Sequence, residues 1–216
     1  MMKRKGGLMK KFALCLCLVA CAGITSAAIE NFNGTEVNVE TWVGTGSSSA
    51  LLVIDFNDAT DDSYFIFGYN FDGTATVRDM MDAIEASGVG LFEADGGWNN
   101  TGGESTVYGL GYDADGDGGS FIETEVGVET GYAVDADDYY AEGWEVSGFW
   151  LQWDSINGTD WTSAWGVEST TLSDGSWAGF CFDSDYSWDD EPRIPEPATM
   201  ALLGFGGLVL IKRRLN

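Results

Sequence analysis

Between Ala28 and Arg193 the chain carries 34 aspartates and glutamates against two cations, Arg78 and Arg193, a formal charge of −32 with no lysine at all. A surface of that sign repels phosphate backbones, which argues against nucleic-acid binding. It also repels anionic polysaccharide unless divalent cations intervene, while keeping a protein soluble at high salt and inviting Ca²⁺ or Mg²⁺. The 166 residues of this segment suit one domain that buries about two-thirds of the surface its unfolded chain exposes. Histidine is absent from the whole chain, which removes Ser-His-Asp and Cys-His nucleophile systems and histidine-based zinc sites. Without lysine the domain has no Schiff-base chemistry. Among 34 carboxylates some pair about 5–9 Å apart is expected by chance, so acid pairs carry no argument for glycoside hydrolysis. The expectation is a noncatalytic protein.

The cations concentrate at the two ends. MMKRKGGLMKK, with five basic residues, precedes the short apolar run FALCLCLVACAGI and the small-residue stretch TSAA. This is the plan of a secretory signal peptide over residues 1–28, cut after Ala27 or Ala28. A second reading stays open, because Leu18 to Cys21 resembles the box preceding the lipidated cysteine of bacterial lipoproteins. With ordinary cleavage Cys15, Cys17 and Cys21 are lost and Cys181 remains alone, so no intrachain disulfide forms. Stability then comes from the core and from any bound ions.

At the other end, residues 191–216 hold Pro195-Glu196-Pro197, an apolar stretch from Ala198 to Ile211, and the basic end Lys212-Arg213-Arg214. Fourteen helical residues reach about 21 Å, short of the roughly 30 Å hydrocarbon core. Motif, apolar helix and terminal arginines together resemble the PEP-CTERM sorting signal of exported bacterial proteins. The resemblance implies that an exosortase-type enzyme processes the chain near Pro195, Glu196 and Pro197. The tail would be held transiently in the inner membrane with its basic end inside, before the protein reaches the cell surface or the exterior.

For residues 29–190 the sequence predicts an α+β domain, mostly β, with an antiparallel sheet and one amphipathic helix packed on it. LLVIDF, at 51–56, and YFIFGYNF, at 64–71, flank the acidic turn NDATDDS as a hairpin. Thr76, with Asp79 three residues on, caps a helix whose Val77, Met80, Met81 and Ile84 share one face, and Gly88 stops it. Asn157-Gly158, midway between Trp153 and Trp161, signals a second hairpin. Trp177 to Phe182 reads as a closing strand after the turn at Leu172 to Gly175. Of the clustered tryptophans, Trp150, Trp153 and Trp161 are the candidates for stacking on sugar rings, with cross-strand packing as the alternative.

DADGDGG, Asp113 to Gly119, sets Asp113, Asp115 and Asp117 on alternate residues. It fails as a helix-loop-helix calcium hand, since position twelve falls on Thr124, between Glu123 and Glu125, and strands flank it on both sides. Two readings remain: a glycine-rich hairpin turn, and a looser Ca²⁺ turn using the three aspartates.

Two resemblances cover about residues 50 to 182. VIDFND, FGYNFDG and LSDGSWAGF are similar to segments shared by a group of PEP-CTERM proteins. TVRDMMDAI, FWLQWDSINGT and LSDGS more distantly resemble the transcobalamin-like C-terminal domain, which implies a β-grasp-like fold; no cobalamin site is carried over. Asn70 stands where the first group usually has arginine, and the acidic segment Val128 to Glu142 has no clear counterpart. The function expected is that of a noncatalytic surface or extracellular-matrix protein. The alternative is a carbohydrate- or small-ligand-binding module, with or without Ca²⁺, whose partner is an exopolysaccharide.

Overall fold

The computed structural model describes residues 28–58, 63–94, 107–122, 131–143 and 148–194. The signal peptide with its alternative at Cys21, the motif Pro195-Glu196-Pro197 and the apolar stretch beyond it lie outside the described residues. In chain order the first strands are β1 (Ala28–Phe32), β2 (Thr35–Val39), β3 (Thr41–Gly44), β4 (Ser48–Asp55) and β5 (Tyr64–Phe71). After the helix α1 (Val77–Ala86) come β6 (Leu91–Ala94), β7 (Gly109–Tyr112), β8 (Phe121–Ile122), β9 (Tyr132–Ala133) and β10 (Tyr139–Glu142). The last strands are β11 (Phe149–Ser155), β12 (Thr162–Ala164) and β13 (Trp177–Asp183).

The described residues are mostly β with one short helix, as the apolar patterning predicts. A six-stranded sheet in the order β12-β11-β13-β4-β5-β3 forms its centre. The run that reads continuously apolar, β4, is buried at six successive positions because both faces of the sheet are covered. Ala50, Leu52 and Ile54 face one side, where they meet α1 and the three-stranded sheet β10-β7-β6. Leu51 and Val53 face the other, under Val37 and Val39 of the β1–β2 hairpin. Period-two alternation in the strands thus builds two apolar layers from one sheet.

α1 forms where the sequence places it. Thr76 accepts from the Asp79 amide while the Asp79 carboxylate accepts from the Thr76 amide, the reciprocal capping box. Val77, Met80, Met81 and Ile84 are the buried residues, and Gly88 adopts φ 76° just past the end. The two apolar runs at 51–56 and 64–71 pair antiparallel as β4 and β5, and β11 pairs antiparallel with β12 across Asn157-Gly158.

The sheet differs from the expected antiparallel one, since β13 runs parallel to β4 and β3 parallel to β5. The turn before β13 explains the first pairing. Its Asp174 carboxylate and its Gly175 amide bond the two backbone groups of Ser49, at 2.9 and 2.7 Å, so β13 starts beside the start of β4 and must run with it. For the second, the chain leaving β3 crosses the end of β5 before entering β4. Only glycine fits that crossing, because a Cβ on Gly46 would lie 2.0 Å from the Phe71 carbonyl carbon. The DADGDGG loop is not a hairpin turn, since β7 pairs with β6 and β10 while β8 pairs with β9. The acidic segment ending at Glu142 supplies β9 and the edge strand β10.

At the β3 edge, the Trp42 ring lies flat over Gly68 and its indole N–H donates to Glu30 at 3.0 Å. A Cβ at residue 68 would sit 2.2 Å from that ring. Gly68→Ala is therefore expected to lift Trp42 off β5 and cost about 1–3 kcal/mol, as overpacking does. Thermal melts should show the loss as a lowered Tm, with a change in tryptophan emission in the native state; an unchanged Tm contradicts the packing described.

Candidate functional site

Asp113 organises the loop that follows β7. Its carboxylate is buried and accepts from the amides of Gly116 at 2.7 Å, Gly118 at 3.0 Å and Gly119 at 2.8 Å. Gly116 and Gly118 supply the positive φ that turns those amides inward. The Gly119 bond above all holds the Asp113 pKa below the ordinary carboxylate range. Asp115 accepts from the Asp117 amide, and the carboxylates of Asp113, Asp115 and Asp117 offer oxygens that all lie within 4.8 Å of one another. Repulsion from Asp115 first, then burial and repulsion from Asp135, Asp113 and Asp137, raises the Asp117 pKa. A second loop thus faces the first: Asp138 accepts from the Ala114 amide through Oδ1, while its Oδ2 is buried with no hydrogen-bond partner among the described residues. Oxygen-rich and strongly negative, the pair of loops has the donor chemistry of a hard-cation site.

A second acidic loop of the same construction follows β13. Asp183, fully buried, accepts from the amides of Asp185 and Ser187 through Oδ1 and of Trp188 through Oδ2. Asp183, Asp185 and Asp190 again offer oxygens within 4.8 Å of one another. The alternate aspartates of DSD, at 183–185, are the signal for this loop, the same pattern as in DADGD. Burial, with Asp183 and Asp185 nearby, raises the Asp190 pKa against the lowering bond from Asn57.

The tryptophans do not divide as expected. Trp150 and Trp153 are each only 7 % exposed and cannot stack on a ligand, because β11 lies inside the sheet with both faces covered. Trp150 packs between Phe56 and Phe182 and donates to the Ala141 carbonyl at 3.0 Å. Trp161 is half-buried against Gly179. Exposed rings instead gather around the loop after β13, at Trp165, 58 % exposed, Trp188, 52 %, and Tyr186, 41 %, with Tyr132 of β9 also exposed. Trp188 and Trp165 have ring centroids 6.3 Å apart at 30°, and Phe149 supports Trp188 from beneath at 4.3 Å. Tyr186 and Trp188 both adopt left-handed backbone, φ 62° and 63°, a conformation that bulky side chains rarely take and that the Asp183 carboxylate holds in place.

A groove of about 480 Å³ lies near the other end of β12, with Asp154, Thr162, Ser173 and Ser176 among its lining residues. Burial pushes the Asp154 pKa up to about 6.

The chain leaving the second acidic loop returns to the sheet. Pro192 lies over Gly179 and Ile194 over Gly158, packed with Trp177. Between them Arg193 meets Asp55, whose carboxylate is fully buried at the end of β4. The guanidinium binds it as a fork, Nε to Oδ2 at 2.8 Å and Nη2 to Oδ1 at 2.6 Å, and the Arg193 amide adds a third bond at 2.8 Å. Nη2 also donates to buried Ser63 at 2.9 Å.

Residues 193–214 match the PEP-CTERM protein-sorting motif. No curated protein and no solved structure matches the chain. Motifs of this kind are recognised by exosortase-type enzymes, so the chain is an exported protein sorted through the membrane to the cell surface or beyond. The matched motif begins at the arginine that the folded domain holds.

Removing the Asp113 carboxylate leaves three inward amides without an acceptor. Asp113→Ala is expected to cost about 2–3 kcal/mol in urea unfolding at neutral pH. Because the folded pKa is the lower one, the stability this group contributes is present above the ordinary carboxylate range and lost as pH falls through the folded value. The parent-to-variant gap should therefore narrow in acid; a gap that persists at low pH contradicts the assignment.

Proposed function

We propose that the protein is a noncatalytic component of the cell surface or extracellular matrix, delivered by its C-terminal signal through an inner-membrane intermediate. The observation that carries this reading is the sorting motif at 193–214, contiguous with the domain. It is supported by the sequence chemistry: no histidine in the chain and no lysine between Ala28 and Arg193. The fold, a helix laid on a mixed sheet, is read as β-grasp-like on the strength of the transcobalamin-like segments. Replacing Pro195, Glu196 and Pro197 by alanines is expected to leave full-length chain in the inner membrane. Fractionation with an antibody to the domain reads this directly, and unchanged release of the same mature species sinks the sorting role.

The exposed group Trp165, Tyr186 and Trp188 favours a second reading, carbohydrate binding by the exported domain. Flat aromatic faces attract the C–H faces of sugar rings, and the neighbouring carboxylates of Asp185 and Asp189 suit hydroxyl donors. In this reading Ca²⁺ occupies the Asp113-Asp115-Asp117 loop, in the affinity range of about 10⁻⁴ to 10⁻³ M usual outside cells. The exported protein is expected to be retained on immobilised neutral exopolysaccharide, and Trp165→Ala with Trp188→Ala to abolish retention. Millimolar Ca²⁺ should raise Tm beyond NaCl of equal ionic strength, an excess removed by asparagine at 113, 115 and 117. Equal retention of the double variant rejects the aromatic site, and an equal Tm in the two salts rejects the cation.

A further inference from the structure

Arg193 and Ile194 belong to two structures at once. They are the first residues of the matched sorting motif, and they are also part of the folded domain, fastened by the Asp55 fork and by packing on Trp177. The fastening is strong in kind: a fully buried carboxylate at the end of β4 takes its charge partner from the end of the folded domain, through two of the three guanidinium nitrogens and a backbone amide. Cys181, aligned with Asp55 in the sheet, lies beside it, so the pair spans β4 and the strand that precedes the chain end. Only Pro195, Glu196 and Pro197 separate Ile194 from the apolar stretch that starts at Ala198. Fully extended, three residues span at most about 11 Å. An enzyme that works at the membrane face on an extended peptide therefore meets the folded domain at once.

We propose that the domain and the sorting enzyme compete for Arg193 and Ile194, so that processing requires the Asp55–Arg193 latch to open. The proposal rests on the sorting role of the C-terminal motif and adds its regulation. While the latch is closed, Nε and Nη2 of the guanidinium, the Arg193 amide and the Ile194 side chain are engaged by β4 and Trp177 and are withheld from an extended-peptide partner. The processing rate then scales with the open fraction, and a latch closed nine-tenths of the time slows processing about tenfold. Asp55 is in this sense a positioning residue for a reaction it never touches. Cation scarcity sharpens the device: between Ala28 and the motif, Arg78 is the one other positive side chain, and it is committed to Glu93.

The test follows release of pulse-labelled full-length chain in exporting cells. One variant carries Gly-Ser-Gly-Ser-Arg-Ile inserted between Ile194 and Pro195, which leaves the native pair docked and places a free copy before the motif. A second carries Gly-Ser-Gly-Ser-Gly-Ser at the same place, giving equal reach without the copy. The first is expected to be processed about tenfold faster than the parent with an unchanged Tm, and the second no faster than the parent. Asp55→Asn should also accelerate processing, although it lowers Tm. Parental rates for the Arg-Ile insertion overturn the competition, and equal acceleration by both insertions overturns it in favour of reach alone. Adding alanines at 195, 196 and 197 to the first variant separates the two levels: continued processing there means that the sorting role itself has failed, whatever the latch does.

Discussion

Buried carboxylates are the constraint that shapes this fold. With 34 acids and two arginines between Ala28 and Arg193, the chain cannot pair its interior charges conventionally, and a buried charge without partners costs several kcal/mol. Each arginine is spent on one interior acid. Arg193 takes Asp55, and Arg78 takes Glu93, whose side chain is 8 % exposed, with Asp82 and Glu168 at the rim. For Glu93 burial outweighs the arginine and leaves the pKa raised. The remaining buried acids among the described residues turn to dipoles: Asp113 and Asp183 each collect three backbone amides, and Glu142 receives the Tyr140 hydroxyl. The two acidic loops are thus the means by which a lysine-free domain satisfies carboxylates at the ends of strands.

That solution couples chemistry to surface. An amide-gathering aspartate winds its loop tightly, and the loop's other residues are forced outward. After β7 the residues so displayed are Asp115 and Asp117, which crowds acids together. After β13 they are Tyr186 and Trp188, which puts rings in solvent above Phe149. One construction therefore yields a cation-attracting tip in one place and an aromatic platform in another. The difference lies in which residue types stand between the anchoring aspartate and the end of the loop.

Local features of the fold are legible in the sequence, and distant ones are not. The capping box at Thr76 and Asp79, the face Val77-Met80-Met81-Ile84, and the β4–β5 and β11–β12 hairpins all depend on residues within about two dozen positions of each other. The Asn33-Gly34 turn joining β1 to β2, with φ 52° and 94°, carries the same dipeptide signal as Asn157-Gly158. The parallel pairing of β13 with β4 is decided by the contact of Asp174 with Ser49, 125 residues away, which no local pattern encodes. The tryptophan faces follow from that pairing, since β11 becomes an interior strand only when β13 lies beside it. Likewise an arginine at the start of a sorting motif gives no sign that its partner is the last residue of a strand 138 positions earlier.

The position of β13 also orders events in time. The last strand of the domain is not an edge strand: it separates β11 from β4, so the six-stranded sheet has no continuous centre until residues 177–183 are in place. Sheets that depend on such distant pairings close late, because the entropy of the long loop must be overcome before the contacts reward it. Phe180 and Trp177 are among the largest fully buried side chains, and both arrive with that strand. Arg193 follows Asp183 by only ten residues, so the Asp55 fork forms on a sheet that has just been completed. A chain whose final strand is missing has no Trp177 for Ile194 to pack against, and β4 presents Asp55 without the β13 neighbour that aligns with it. Occupancy of the latch therefore reports completion of the sheet, and the chain end that the membrane enzyme meets differs physically between a folded and an unfolded passenger.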